Sequence, residues 1–146
     1  MIFSQMSNPE DHKVSITVQV PVRLHEIDYL RIVHASNYLR YMEYARIKLF
    51  EQQGLDLPAW QEKGIRAKVA NDTIDYLYPA TYGDVLAIRC WVDQIRQSTV
   101  RFRYRISEEK TGKEILKATS TVTAINSYGK LTRIPKKVKE ALGRTT

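Results

Sequence analysis

Residues 22–53 read VRLHEIDYLRIVHASNYLRYMEYARIKLFEQQ, and this stretch decides the fold. A strand-like run enters an irregular loop, residues 25–35, which carries Glu26, Asp28 and His34. The loop leads directly into a helix pattern ending near Gln53, with Gly54 as its stop. Ser36 is the expected N-cap, since its hydroxyl can accept from early helical N–H groups. Tyr38, Leu39, Tyr41, Met42, Tyr44, Ala45, Ile47, Leu49 and Phe50 cover most of the helix circumference. A helix with so little polar surface is normally buried. It must be covered by something large, and the rest of the chain reads as strands. The expectation is therefore one central helix wrapped by one sheet. Acidic groups lie just ahead of the helix start, where free N–H groups and the positive dipole end favour anions.

Working outward, residues 1–12 are polar and aperiodic and read as a tail. Val14, Ile16, Val18 and Val20 alternate with polar residues, the mark of a half-buried strand. After the long helix, Pro58 opens a short second helix closed by Gly64. Strands are expected over 65–78, 85–95, 100–106 and 115–125, with a short one at 131–134. Pro135 then opens a last short helix over 136–142. A long helix after the first strand, followed by an antiparallel meander of five to six strands in all, is an α+β pattern.

The 146 residues suit a single domain, 1–146, with no linker, repeat or low-complexity segment. The lone cysteine, Cys90, lies in the apolar run IRCWV and is expected to be an inert core thiol. It excludes an internal disulfide and a Cys-based zinc site, and no metal is expected. The chain has no long apolar span and no secretory leader pattern, so a cytoplasmic protein without membrane insertion is expected. The net charge of +7 permits an anionic partner. Nucleic acid is not expected, because Arg101, Arg103 and Arg105 alternate with Val100, Phe102, Tyr104 and Ile106 and so take the opposite strand face. There is no G-x-S-x-G nucleophile elbow and no Gly-rich phosphate loop.

Three motifs occur in a telling order. The first is Arg23-(x)4-Asp28-(x)9-Tyr38-Leu39-Arg40-Tyr41-Met42-Glu43-(x)2-Arg46. The second is Ile74-Asp75-Tyr76-Leu77-Tyr78-Pro79-Ala80-(x)2-Gly83-Asp84, and the third Arg133-Ile134-Pro135. On these the chain resembles the hotdog-fold acyl-CoA thioesterases, specifically the 4-hydroxybenzoyl-CoA thioesterase branch, over residues 13–142. Within that branch His34-Ala35-Ser36 is similar to the Tol-Pal-associated thioesterases and the whole to the dihydroxynaphthoyl-CoA thioesterases.

The resemblance implies a hotdog fold and hydrolysis of an aromatic or fatty acyl-CoA thioester. It implies Asp28 as the catalytic carboxylate and the Ala35 backbone N–H as the donor that polarises the carbonyl. His34, Tyr38, Tyr41 and Arg31 become candidates for contact with the substrate. Arg96, Arg133, Lys136 and Lys137 become candidates for the phosphates of coenzyme A, which is part of the substrate; no separate cofactor is expected. Acyl carrier protein is the alternative thiol carrier, and a homodimer or homotetramer the implied assembly. Two positions depart from the family pattern: Glu26 stands where an Asp is usual, and Arg31 where a Gly is common. Glu26 is expected to serve structure. The rival functions are a hotdog hydroxyacyl dehydratase, for which His34 is the candidate, and a non-catalytic acyl- or RNA-binding module.

Overall fold

The computed structural model describes residues 14–143. The expected tail at 1–12 lies outside the described residues. The chain runs β1 (Ser15–Pro21), a 3-10 turn (Leu24–Glu26), α1 (Ala35–Gln52), α2 (Leu57–Glu62), β2 (Arg66–Tyr76), β3 (Val85–Ile95), β4 (Thr99–Glu108), β5 (Glu114–Ile125) and α3 (Lys136–Leu142). The strands form one antiparallel sheet in the order β1-β3-β4-β5-β2. This is the α+β hotdog arrangement, a long helix laid on a curled sheet.

The order explains the placement of everything else. β1 and β2 are the two edges of the sheet. The chain must therefore cross the sheet between them, and α1 with α2 makes that crossing. The connection from β2 back to β3, residues 77–84, crosses again at one end of the sheet. It meets the loop before α1, where the Val33 amide donates to the Ala80 carbonyl at 2.9 Å. Two crossings thus converge on the N-terminus of α1.

Alternation sends Leu86, Ile88 and Cys90 of β3 and Phe102, Tyr104 and Ile106 of β4 inward, all buried. They pack against Tyr41, Met42, Ala45 and Leu49 of α1. Burial also pushes the Cys90 thiol up, out of the range where thiolate chemistry runs. On the outer face, Asp93 pairs with Arg101 at 2.6 Å and Arg103 at 3.1 Å.

Three expectations are corrected. The segment 131–134 is no sixth strand: it makes a single bridge, Ile125 to Leu131, before the Ile134 amide turns to the Gln97 carbonyl and Pro135 removes a donor. The N-cap of α1 is His34, not Ser36, because His34 is the extended residue and its Nδ1 accepts the Ser36 amide. The helix is not buried all round: Leu39 and Tyr44 are each 44% exposed, because the sheet covers one side only. No helix among the described residues is long and apolar enough to cross a membrane.

Candidate active site

The loop before α1 is a tight hairpin. Ile27 and Val33 bridge across its base, and the Asp28 amide donates to Ile32 O at 2.9 Å. Asp28 Oδ1 accepts the Leu30 amide at 2.8 Å, and the Arg31 amide returns to Asp28 O at 3.0 Å. Asp28 therefore holds its own turn, as aspartates do when a side-chain oxygen reaches the backbone two residues on. Its Oδ2 accepts no hydrogen bond among the described residues. Closing so short a loop forces Arg31 to a positive φ of 65°. The position therefore favours glycine: the left-handed conformation costs a side chain, and glycine adopts it freely.

Beneath the loop sits Glu26, 2% exposed. Its Oε1 accepts the Arg23 amide at 2.8 Å and the Tyr41 hydroxyl at 2.9 Å, and Oε2 accepts Arg23 Nη2 at 2.9 Å. Its carbonyl accepts the His34 amide at 2.9 Å and Asn37 Nδ2 at 3.1 Å. Burial alone pushes this carboxyl up; the Arg23 and Tyr41 donors outweigh it and hold Glu26 below the usual carboxylate range. Glu26 is thus a structural anion that ties Arg23, two residues past β1, to the loop and the start of α1.

At the helix start, His34 Nδ1 accepts from the Ser36 amide at 3.2 Å and lies 2.8 Å from Ser36 Oγ. The next N–H, on Ala35, has no acceptor among the described residues. Asp28, His34 and Ala35 line one open cavity of about 470 Å³ with Tyr38, Tyr76 and Tyr78. The Tyr38 ring stands 5.7 Å from Tyr76, and its hydroxyl accepts the Ala80 amide at 3.2 Å. Lys113 Nζ lies 3.1 Å from the Tyr78 ring centre and draws the Tyr78 hydroxyl below its ordinary pKa.

Asp28, Ala35, His34 and Tyr38 therefore come together. Tyr41 and Arg31 do not join them. Tyr41 faces the core and spends its hydroxyl on Glu26, and Arg31 is exposed and outside the cavity lining. The proposed phosphate cations are elsewhere as well. Arg96 follows the far end of β3, an 11-residue strand of roughly 35 Å at about 3.3 Å per residue. Arg133 lies beside it, its Nε 2.8 Å from the Gln97 side-chain amide. Lys136 and Lys137 open α3 at that same end, and Lys136 is 3.9 Å from Glu140. No one chain brings these cations to Asp28. The residues sequence reasoning missed are Tyr76, Tyr78 and Lys113. The first two were legible as one face of a strand; Lys113, read as a hairpin turn, meets the site only through the β2–β5 pairing.

Chemically, the cavity offers a carboxylate with a free oxygen, an unpaired helix N-terminal N–H and an aromatic wall. The first can activate water or attack a carbonyl, and the second can stabilise an oxyanion. Among the described residues no group of three or more His, Cys, Asp or Glu side chains is gathered to hold a metal.

Comparisons with known proteins agree with the fold. Residues 22–142 match the model of the thioesterase-like superfamily. A protein of Aquifex aeolicus, provisionally named an esterase, is 31% identical over 83% of this chain and 92% of its own length. YneP of Bacillus subtilis, provisionally named an acyl-CoA thioesterase, is 29% identical over 70% of this chain and 74% of its own. The solved structure of a 4-hydroxybenzoyl-CoA thioesterase, an Asp→Asn variant complexed with 4-hydroxybenzoyl-CoA, superposes with a TM-score of 0.82 at 22% identity, covering 89% of this chain and 99% of that one.

Proposed function

This chain belongs to the thioesterase-like superfamily, and from that premise we propose that it hydrolyses acyl-CoA thioesters at the N-terminus of α1, with Asp28 as the carboxylate. The observation that carries the reading is the shared cavity: Asp28, with one oxygen free, and Ala35, with its N–H free, face the same space. The thioester carbonyl oxygen lodges against the Ala35 N–H. Asp28 takes the proton of a water whose oxygen adds to the carbonyl carbon, or adds to that carbon itself. Either route builds negative charge on the carbonyl oxygen, which the helix N-terminus stabilises. On the first route the C–S bond breaks, the departing thiolate takes the proton that Asp28 holds, and the carboxylic acid is released; on the second, C–S cleavage leaves an acyl–Asp28 anhydride, the thiolate takes a proton from water, and water adds to the anhydride to free the acid and Asp28.

The wall of Tyr38, Tyr76 and Tyr78 supports an aromatic acyl group over a long aliphatic one, since aromatic rings pack edge-on or offset against one another. An Asp→Asn variant of the 4-hydroxybenzoyl-CoA enzyme is complexed with its aryl thioester. Acyl carrier protein is the alternative thiol carrier. His34 is a helix cap with its Nδ1 engaged, which weighs against a dehydratase centred on it. The functional unit is a one-domain cytoplasmic homodimer or homotetramer, in which cations of a second copy reach the coenzyme A phosphates.

A panel of aromatic, short and long acyl-CoA thioesters tests this reading. Hydrolysis is expected, with the highest kcat/KM on an aromatic acyl group. No turnover across the panel contradicts it.

A further inference from the structure

Four large apolar side chains stand in solvent at the Asp28 end of the sheet. Leu24, Tyr29, Leu30 and Tyr82 range from 60% exposed at Leu30 to 91% at Tyr29. Single exposed apolar residues are ordinary, but several on one surface mark a contact. These four occupy two loops that are stitched to each other. Thr81 Oγ1 donates to the Arg31 carbonyl at 3.0 Å, which brings the neighbours of Tyr82 and Leu30 together. The Val22 amide donates to the Asp84 carbonyl at 2.9 Å, two residues from Leu24 on one side and two from Tyr82 on the other. Tyr29 and Leu30 are the tip of the Asp28 hairpin, held by the Asp28 amide to Ile32 O and the Leu30 amide to Asp28 Oδ1. None of the four lines the Asp28 cavity.

The exposed charge around them has one sign. Arg23 and Arg31 are exposed, with His25 exposed between them. Arg23 pairs with Glu26, whereas Arg31 forms no ion pair among the described residues. Glu26 is buried, and Asp28 and Asp84 are half-buried, with a side-chain oxygen of each accepting a backbone amide, of Leu30 and of Thr81 respectively. No exposed carboxylate lies within residues 22–33 or 79–84.

We propose that these two turns dock the protein on an anionic lipid surface. Tyrosine, leucine and arginine together suit the headgroup level: rings and Leu side chains enter the acyl boundary while guanidinium groups stay with the phosphates. The apolar groups sit on projecting turns, which a fluid bilayer accepts anywhere, whereas a protein partner would need a matching hollow. The turns are fixed by their own hydrogen bonds, so little ordering opposes docking. Four side chains and a few cations give reversible binding at the surface, not a span. Asp28 rides on the same hairpin, so docking holds its cavity beside the lipid. The inference is independent of the reaction run in that cavity.

Co-sedimentation of the full chain with vesicles tests it, using phosphatidylcholine alone and an equal mixture with phosphatidylglycerol. Circular dichroism establishes that each variant is folded. Wild type is expected to bind the mixed vesicles at least about 10-fold more tightly than the neutral ones. The double variant Tyr29→Ser with Leu30→Ser is expected to weaken that binding by about 10-fold or more, because two apolar side chains leave the interface. Arg31→Gly is expected to weaken it by about five-fold, the scale of one cation at an anionic surface. Tyr128→Ser removes an exposed tyrosine just past β5, at the opposite end of the sheet, and is expected to change nothing. Wild type left in the supernatant with mixed vesicles overturns the proposal, as does equal binding by the double variant or equal loss in Tyr128→Ser. Equal affinity for the two vesicle types overturns the anionic preference. Titration with acyl carrier protein gives the other contrast: binding there that the double variant loses, with none to vesicles, replaces the lipid by an acidic protein.

Discussion

The hydroxyl of Tyr41 donates to Oε1 of Glu26 across 2.9 Å, fastening the first turns of α1 to the turn that leads into Asp28. Both groups are buried, and neither lines the cavity. Tyr41→Phe is therefore expected to cost about 1–2 kcal/mol of stability, the worth of a hydrogen bond to a charged group. Thermal or urea unfolding measures that loss, and KM is expected to stay near the wild-type value. A large rise in KM would return Tyr41 to the substrate pocket.

The same carboxylate sets an acid limit. The folded state holds Glu26 below its usual range, against the upward push of burial, through Arg23 and Tyr41. A depressed carboxyl contributes stability that is present above its unfolded value and is lost as pH falls through its folded value. The Tm advantage of wild type over Glu26→Gln is expected to be full at neutral pH and to shrink below about pH 4. An advantage that does not change with pH contradicts the assignment.

Arg31 holds a left-handed backbone at φ 65° with its side chain outside the cavity. Arg31→Gly is expected to raise stability by roughly 1 kcal/mol, the order of the penalty that a Cβ suffers there. Activity is expected to be unchanged. A variant that is more stable but inactive would give the guanidinium a role in binding.

These residues also show what a linear sequence reveals. The strand alternation, the helix and the order of motifs were legible, because period and punctuation are local. Asp28, Ala35, His34 and Tyr38 were named through the family resemblance, and they lie close in the sequence at one loop–helix junction, so the structure places them on one cavity. Arg31 was not, since its conformation follows from a loop closure that no propensity records. Tyr41 was misplaced because an apolar helix pattern shows that faces are buried, not which one meets the cavity. Ser36 was the better cap by type, but the extended backbone falls at His34. The cations at 96 and 133–137 were grouped by charge, and only the direction of β3 shows how far from Asp28 they lie.

His34 divides a cap from a catalyst. If its role is to accept the Ser36 amide, His34→Ala costs about 1 kcal/mol of stability. Hydrolysis is expected to fall by less than about 10-fold, short of the effect of losing an acid–base group. Abolished hydrolysis with an intact fold would give His34 a part in the chemistry, and activity on a 3-hydroxyacyl substrate that His34→Ala abolishes would favour the dehydratase reading.

Ala35 can lose its N–H without losing its helix. It is the first helical residue, where proline is well tolerated, and His34 before it has the extended φ −64° and ψ 138° that proline requires. Ala35→Pro is expected to keep the wild-type Tm and to lower kcat by about 100- to 1,000-fold, the effect of deleting one oxyanion donor. Unchanged kcat would move the oxyanion site elsewhere.

Hydrolysis at this site depends on the Asp28 carboxylate, and Asp28→Asn removes it. The amide keeps an oxygen for the Leu30 N–H, so the loop and the Tm are expected to survive. kcat/KM on the best acyl-CoA of the panel is expected to fall by at least about 100-fold, the scale of losing a general base. Near-wild-type turnover in a folded Asp28→Asn variant would contradict it.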